Sequence, residues 1–146
     1  MFIYGKTAAN AIAIMSYLAA DPKRRSGSAE IAKDRNISRA LTAKLLTQLS
    51  SAGLVTGMPG PGGGYTLGKP AQTICLLDIV ELFEQTESIS VCPFGQGYCG
   101  TGDRCPLHDT LTGMMKDNRK FLETTRLSVF SSEPGGKAPG KITKRS

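Results

Sequence analysis

Seven of the eight residues from Gly57 to Gly64 are glycine or proline. No regular helix crosses such a stretch, because proline removes a backbone donor and glycine carries a large entropic cost in a helix. The chain must reverse there. Short extended runs flank the stretch, Leu54-Val55-Thr56 before it and Tyr65-Thr66-Leu67 after it. Together they predict a β-hairpin with residues 57–64 as its loop. A phosphate-binding P-loop is excluded, since the run lacks a Gly-Lys-Ser/Thr ending and leads into a strand rather than a helix.

Upstream, Ala8, Ile12, Met15 and Ala19 recur at helical spacing and predict a first helix ending before Asp21-Pro22. After a basic link over residues 22–27, Ser28 is placed to cap a short helix reaching about Arg35, with Ile31 and Ala32 inward and Asn36 in a left-handed turn. Ser38 caps the next helix, whose predicted buried face is Leu41, Leu45, Leu49 and Ala52. Gly53 ends it, and Leu54 folds back over the end. Two helices joined by a tight turn, the second capped and amphipathic, form a helix-turn-helix, and a hairpin placed directly after it is a wing.

Downstream, Leu76, Ile79, Val80 and Phe83 predict a fourth helix ending near Gln85. Residues 88–106 have no periodicity. Leu107, Leu111, Met114, Asn118, Phe121, Leu122 and Thr125 then repeat at nearly seven-residue spacing, as in a helix packed on a partner helix. A helix of about 24 residues would span roughly 36 Å, more than a domain this small can cover, so homodimerisation is expected. Residues 131–146 are rich in Pro, Gly, Ser and Lys, with Ile142 as their only large apolar residue, and read as a disordered basic tail. The expected fold is mainly α: a winged helix-turn-helix over 1–87, a cysteine-rich loop over 88–106, a dimerisation helix over 106–130 and the tail.

The chain has 146 residues, 40% hydrophobic and 21% charged, which suits one globular domain with an appendage and excludes a large multi-domain enzyme. Its net charge of +6 is uneven, with +5 in residues 1–55, −2 in 56–130 and +3 in the tail. A basic amino-terminal third beside a slightly acidic middle points to a polyanion partner. The longest mostly apolar stretch, Ala8 to Ala20, is interrupted by Asn10 and Ser16 and falls short of the ~20 residues a membrane span needs. No secretory signal is evident, so a cytoplasmic location with reduced thiols is expected.

The run from Cys92 to His108 holds Cys92, Cys99, Cys105 and the only histidine of the chain within 17 positions. Its spacing is Cys-x6-Cys-x5-Cys-x2-His, with glycines at 95, 97, 100 and 102 between the thiols. Neither residue type is needed for a turn there, so the cluster points to a metal centre. Structural zinc favours tighter Cys-x2-4-Cys knuckles, whereas an iron-sulfur cluster is larger and its ligands sit farther apart. Cys75 lies on the apolar approach to the fourth helix and reads as a core residue.

The run Ser28-Ala29-Glu30-Ile31-Ala32 through Ile37-Ser38, the Gly53-Leu54-Val55 junction, the wing Gly60-Pro61-Gly62-Gly63-Gly64-Tyr65 and the three-cysteine loop, in this order, resemble the Rrf2-type bacterial winged-helix regulators over about residues 1–130. That resemblance implies a homodimeric transcriptional regulator. In ligand pattern it is similar to the iron-sulfur-assembly branch, which holds a 2Fe-2S cluster on three Cys and one His, here Cys92, Cys99, Cys105 and His108. A nitric-oxide-sensing branch holds a 4Fe-4S cluster with an Asp from the partner's first helix. This chain has no acidic residue before Asp21, and Ala9 stands about where that Asp would be. The resemblance therefore ranks 2Fe-2S first and 4Fe-4S second. It departs from the family pattern at Pro59, where an Arg often precedes the wing, and at Ala40 and Ala43, where the assembly branch carries Ser and Glu. Its first cysteine gap is also one residue longer.

Docked as winged helices dock, the face of residues 38–48 enters the major groove of double-stranded DNA, with Arg39, Thr42, Lys44 and Thr47 as expected contacts. Ser38, Lys6, Lys33 and Arg35 suit phosphate, and the wing residues Pro59, Gly60, Pro61, Gly62 and Tyr65 lie over the adjacent minor groove. A dimer then calls for an imperfect palindromic operator, and gain or loss of the cluster would sense iron, redox state or nitric oxide. The competing expectations are a thiol/disulfide switch, a zinc-stabilised regulator and an RNA-binding module. An enzyme with Cys105 as nucleophile and His108 as base ranks last, since nothing resembles an oxyanion hole.

Overall fold

The computed structural model describes residues 4–84 and 106–131. Helix α1 (Lys6–Ala20) buries Ala8, Ala11, Ile12, Ile14, Met15, Ser16, Leu18 and Ala19. That is more than the single stripe expected, because α1 packs against every neighbouring layer: the helix-turn-helix, the hairpin, the fourth helix and the last turn of the described chain. A helix that is apolar nearly all round is a buried one.

Helix α2 (Ser28–Arg35) starts at Ser28 itself, one residue earlier than a Ser28 cap requires. Gly27 is the N-cap and Ser28 makes no capping bond, so that expectation is corrected. Asn36 adopts the left-handed conformation (φ 55, ψ 47) and Ile37 N–H returns to Ala32 O at 3.0 Å, which closes α2 and turns the chain. Helix α3 (Arg39–Ser51) begins as expected, with Ser38 Oγ accepting from Leu41 N–H at 3.2 Å. Its buried face is Thr42, Leu45, Leu46 and Leu49, while Leu41 is half-buried and Ala52 exposed. The face is thus rotated from the predicted one. At the other end Gly53 takes φ +78, Gly53 N–H bonds to Ser50 O and Leu54 N–H to Leu49 O, both at 3.0 Å, the pair of bonds that a left-handed glycine allows.

Strands β1 (Val55–Met58) and β2 (Gly64–Leu67) pair antiparallel, with Val55 opposite Leu67 and Met58 opposite Gly64. They run farther into the glycine-rich stretch than expected and leave residues 59–63 as the tip. Gly63 has no room for a side chain, since a Cβ there would come within 2.1 Å of Met58 O. On the free edge of β2, Ser26 bridges Tyr65 through two backbone bonds of 3.1 and 2.8 Å.

Helix α4 (Leu76–Phe83) buries Leu76, Leu77, Ile79 and Val80 against α1. Its first turn is tied by Cys75 N–H donating to Asp78 Oδ2 at 3.0 Å. Helix α5 (His108–Thr124) has 17 residues, shorter than the helix expected over 106–130. The core ends it. Leu76 N–H bonds to Thr125 O at 3.0 Å and Leu127 N–H to Ile74 O at 2.8 Å, which brings fully buried Leu127 home and turns Leu127–Phe130 into a 3-10 segment. Leu122 is the only buried residue of α5, whereas Leu107, Met114, Met115 and Phe121 are exposed. The mainly α winged helix-turn-helix expected from the sequence is the fold observed. Among the described residues no helix is long and apolar enough to cross a membrane. The basic tail beyond Ser131 and nearly all of the cysteine-rich loop lie outside the described residues.

Candidate DNA-binding face and metal-ligand loop

The open side of α3 is built by spacing alone. With Leu45, Leu46 and Leu49 drawn into the core, Arg39, Ala43 and Thr47 form one exposed row and Ala40, Lys44 and Gln48 the next. Ser38 opens this strip, its hydroxyl engaged as the cap. Thr47 Oγ1 donates to Ala43 O at 2.9 Å, so its methyl and hydroxyl both stay on the strip. Arg39 and Lys44 make no ion pair among the described residues, which leaves both cations to an outside partner. Gln48 was not among the expected contacts, although four-residue spacing from Lys44 would have found it once the face was correctly set.

Two expected contacts are corrected. Thr42 is fully buried against the core, so it cannot meet a base. Arg35 is 5% exposed and its guanidinium is consumed internally: Nη1 donates to Asp34 Oδ2 at 2.7 Å, Nε to Ala13 O at 3.0 Å and Nη2 to Ser16 Oγ at 3.3 Å. It fastens α2 to α1 instead of holding phosphate. Lys6 and Lys33 are exposed, as a phosphate role requires. In the wing Pro59, Gly60, Pro61 and Gly62 are exposed, with Gly60 at φ +90 and Gly62 at φ +74. Tyr65 is half-buried, its ring packed over Gly57 and its backbone occupied by Ser26.

Cys92, Cys99 and Cys105 lie outside the described residues. His108 is the first residue of α5 and half-buried, and the turn Pro106-Leu107 is all that separates it from Cys105. Among the described residues no group of three His, Cys, Asp or Glu could hold a metal. Cys75 is buried, and that burial pushes its thiol above the ordinary value of 9.0, with the Asp78 carboxylate adding in the same direction. It is a protonated core residue, as the sequence implied.

The model of the Rrf2 family, described as an iron-dependent transcriptional regulator, matches residues 4–133. The chain belongs to the Rrf2 family. Among curated relatives, the HTH-type transcriptional regulator IscR of Escherichia coli O1:K1 is 33% identical over 96 residues, 61% of this chain and 59% of the relative. The chain thus spans under two thirds of the length of that relative. Among solved structures, CymR of B. subtilis, a global cysteine regulator, superposes with a TM-score of 0.70 at 25% identity, covering 87% of this chain and 94% of CymR. Staphylococcus aureus CymR does so with 0.68 at 27% identity, covering 91% and 100%. As an Rrf2 protein, the chain combines the family's winged helix with an α3 strip that carries Ala40, Ala43 and Gln48.

Proposed function

We propose that this protein is a homodimeric, DNA-binding transcriptional regulator whose operator occupancy is controlled by an iron-sulfur cluster held by Cys92, Cys99, Cys105 and His108, with 2Fe-2S ranked before 4Fe-4S. The observation that carries the cluster reading is the gathering of three thiols and the chain's only imidazole within 17 positions, directly ahead of α5. The donor set fits, since soft thiolates with one nitrogen ligand suit such a cluster. The cluster supplies a centre whose presence and charge respond to iron, oxidants or nitric oxide. The protein's own part is to convert that state into the pose of two α3 helices. Residues 106–130 offer an apolar strip, Leu107, Met114, Met115 and Phe121, for pairing with a second copy.

Arg39 is the contact best suited to fork onto a guanine, and Gln48 to read an adenine, while Lys44, Lys6 and Lys33 suit phosphates. Ala40 and Ala43 bring only methyl groups to the groove, so the operator differs from that of regulators with polar residues there. Likeness to the CymR regulators, of which the Staphylococcus aureus protein is also solved in an oxidized form, favours a second reading, in which two of Cys92, Cys99 and Cys105 switch by forming a disulfide.

Anaerobic purification with absorbance spectra and iron and sulfide counting tests the first reading. Visible charge-transfer bands, and duplex binding that changes when the cluster is removed, are expected. Colourless protein that takes up zinc, or DNA binding indifferent to alanine at all three thiols, rules it out. A disulfide found by mass spectrometry after peroxide, without iron, installs the second. An Arg39→Ala variant should lose about 1–3 kcal/mol of operator binding and relax preference at one base pair, with non-specific binding little changed.

A further inference from the structure

We propose that Lys23 and Arg25, in the link between α1 and α2, form a phosphate-binding edge that serves the wing. The proposal rests on the reading of this protein as a DNA binder and adds residues to it. From Leu54 to Gly68 the chain carries no charged side chain at all. A wing laid along a duplex would therefore bring backbone amides and a proline-glycine tip to a dense row of negative charge, with no cation of its own. Lys69 stands just beyond the base of the hairpin, and the other cations beside it come from a segment fastened to the wing by backbone bonds.

That segment is Asp21-Pro22-Lys23-Arg24-Arg25-Ser26. Arg24 N–H donates to Asp21 O at 3.1 Å, which makes a turn of it. The Arg24 guanidinium pairs with Glu30 of α2, and Glu30 also accepts from Tyr17 OH at 3.1 Å. Arg24 is thus neutralised and holds the link down. Ser26, 2% exposed, pairs with Tyr65 in both directions and acts as a one-residue third strand on β2. Gly64 lies so close that a Cβ on it would come within 2.9 Å of Ser26 C.

Arg25 is therefore next to the ladder, and Lys23, three residues from the bridge, lies within about 11 Å of it along the chain. Both are exposed, and neither makes an ion pair among the described residues. Asp21 is the one carboxylate of the link and leaves a net positive edge beside the wing. Such an edge touches phosphates without reading bases, so it adds affinity and salt dependence but no sequence preference.

The test uses the full chain in its DNA-binding form and two labelled duplexes of about 30 bp, one of random sequence and one enriched from a random pool. Anisotropy titrations over roughly 50 to 300 mM salt compare wild type with Lys23→Gln/Arg25→Gln and with a control, Gln72→Glu, which lowers the charge at an exposed position outside α3, the wing and α5. Removing two phosphate contacts from each protomer should make the slope of log affinity against log salt shallower by about 2 for each half-site engaged, about 4 for a dimer on both, and weaken binding by at least about 50-fold near ~0.1 M salt, equally on both duplexes. Thermal melting should stay unchanged, and the control should keep the wild-type slope. A wild-type slope in the first variant, or an equal drop in the control, overturns the proposal while leaving the DNA-binding reading intact. Wild-type protein with no salt-dependent duplex binding would instead remove that reading, and the proposal with it.

Discussion

Arg35 offers the most direct perturbation of how the recognition unit is attached. Its side chain is 3% exposed and spends its guanidinium on Asp34 at 2.7 Å, Ala13 O at 3.0 Å and Ser16 Oγ at 3.3 Å, with the Tyr17 ring 5.3 Å from its centre. Ala13, Ser16 and Tyr17 belong to α1, so one side chain joins the end of α2 to the central helix. In Arg35→Ala the losses do not simply add. Asp34 is 25% exposed and regains water, and Ala13 O keeps the hydroxyl of Ser16 at 2.7 Å. What remains is a lost charge-assisted network and the space left by the stem, together about 3 kcal/mol. Arg35→Met keeps most of the stem and loses only the donors, about half that cost. Urea unfolding reads both. With a slope near ~2 kcal/mol per molar, the midpoint of Arg35→Ala should fall by about 1.5 M. Raising salt to ~1 M should leave the difference in place, because a buried pair is screened little. If Arg35→Ala unfolds within ~0.5 kcal/mol of wild type and loses DNA affinity instead, the reasoning fails and Arg35 belongs on the surface.

Two further outcomes are expected. Thr42 Oγ1 is buried without a hydrogen-bond partner, so Thr42→Val should stabilise the fold by about 1 kcal/mol in the same assay, and a comparable loss would mean the hydroxyl has a partner after all. The raised thiol of Cys75 ties stability to pH: the unfolded chain gives up this proton first, so the contribution is complete below the ordinary value of 9.0 and is lost as pH rises through the raised value. Unfolding free energy above pH 9.0 should therefore fall more steeply for wild type than for Cys75→Ala, and equal slopes would contradict the assignment.

What the sequence made legible was mostly local. Asn36, Ser38 and Gly53 announce their turns because each satisfies backbone groups within a few residues of itself. The facing of α3 was less readable, since Leu41, Leu45 and Leu49 repeat as regularly as the set actually buried, and only the packing of α3 on α1, α2 and α4 selects Thr42 and Leu46. Arg35 was misplaced for a related reason: nothing nearby in sequence reveals that α1 presents Ala13 and Ser16 to it. The seven-residue repeat ran on through Thr125, and the pairing with Ile74 and Leu76 that ends α5 there comes from a distant part of the chain. Of the candidate site, the thiols and the imidazole stand out in the sequence because they are rare, and of these only His108 lies within the described residues, at the start of α5. Lys23 and Arg25 do not stand out, because only the Ser26–Tyr65 bridge connects them with the wing.

Helix α5 has its one buried residue, Leu122, close to its end, and an exposed ion pair between Arg119 and Glu81 at 3.8 Å adds little grip. Toward its start it packs on α4 with His108, Leu111, Thr112 and Asn118 only half-buried, so its hold on the core weakens in that direction. From Leu122 to His108 the arm is about 21 Å long at ~1.5 Å per residue, so a swing of about 10° carries the imidazole through roughly 4 Å. The pivot sits where the chain rejoins Ile74 and Leu76, at the root of the helix that lies against α1.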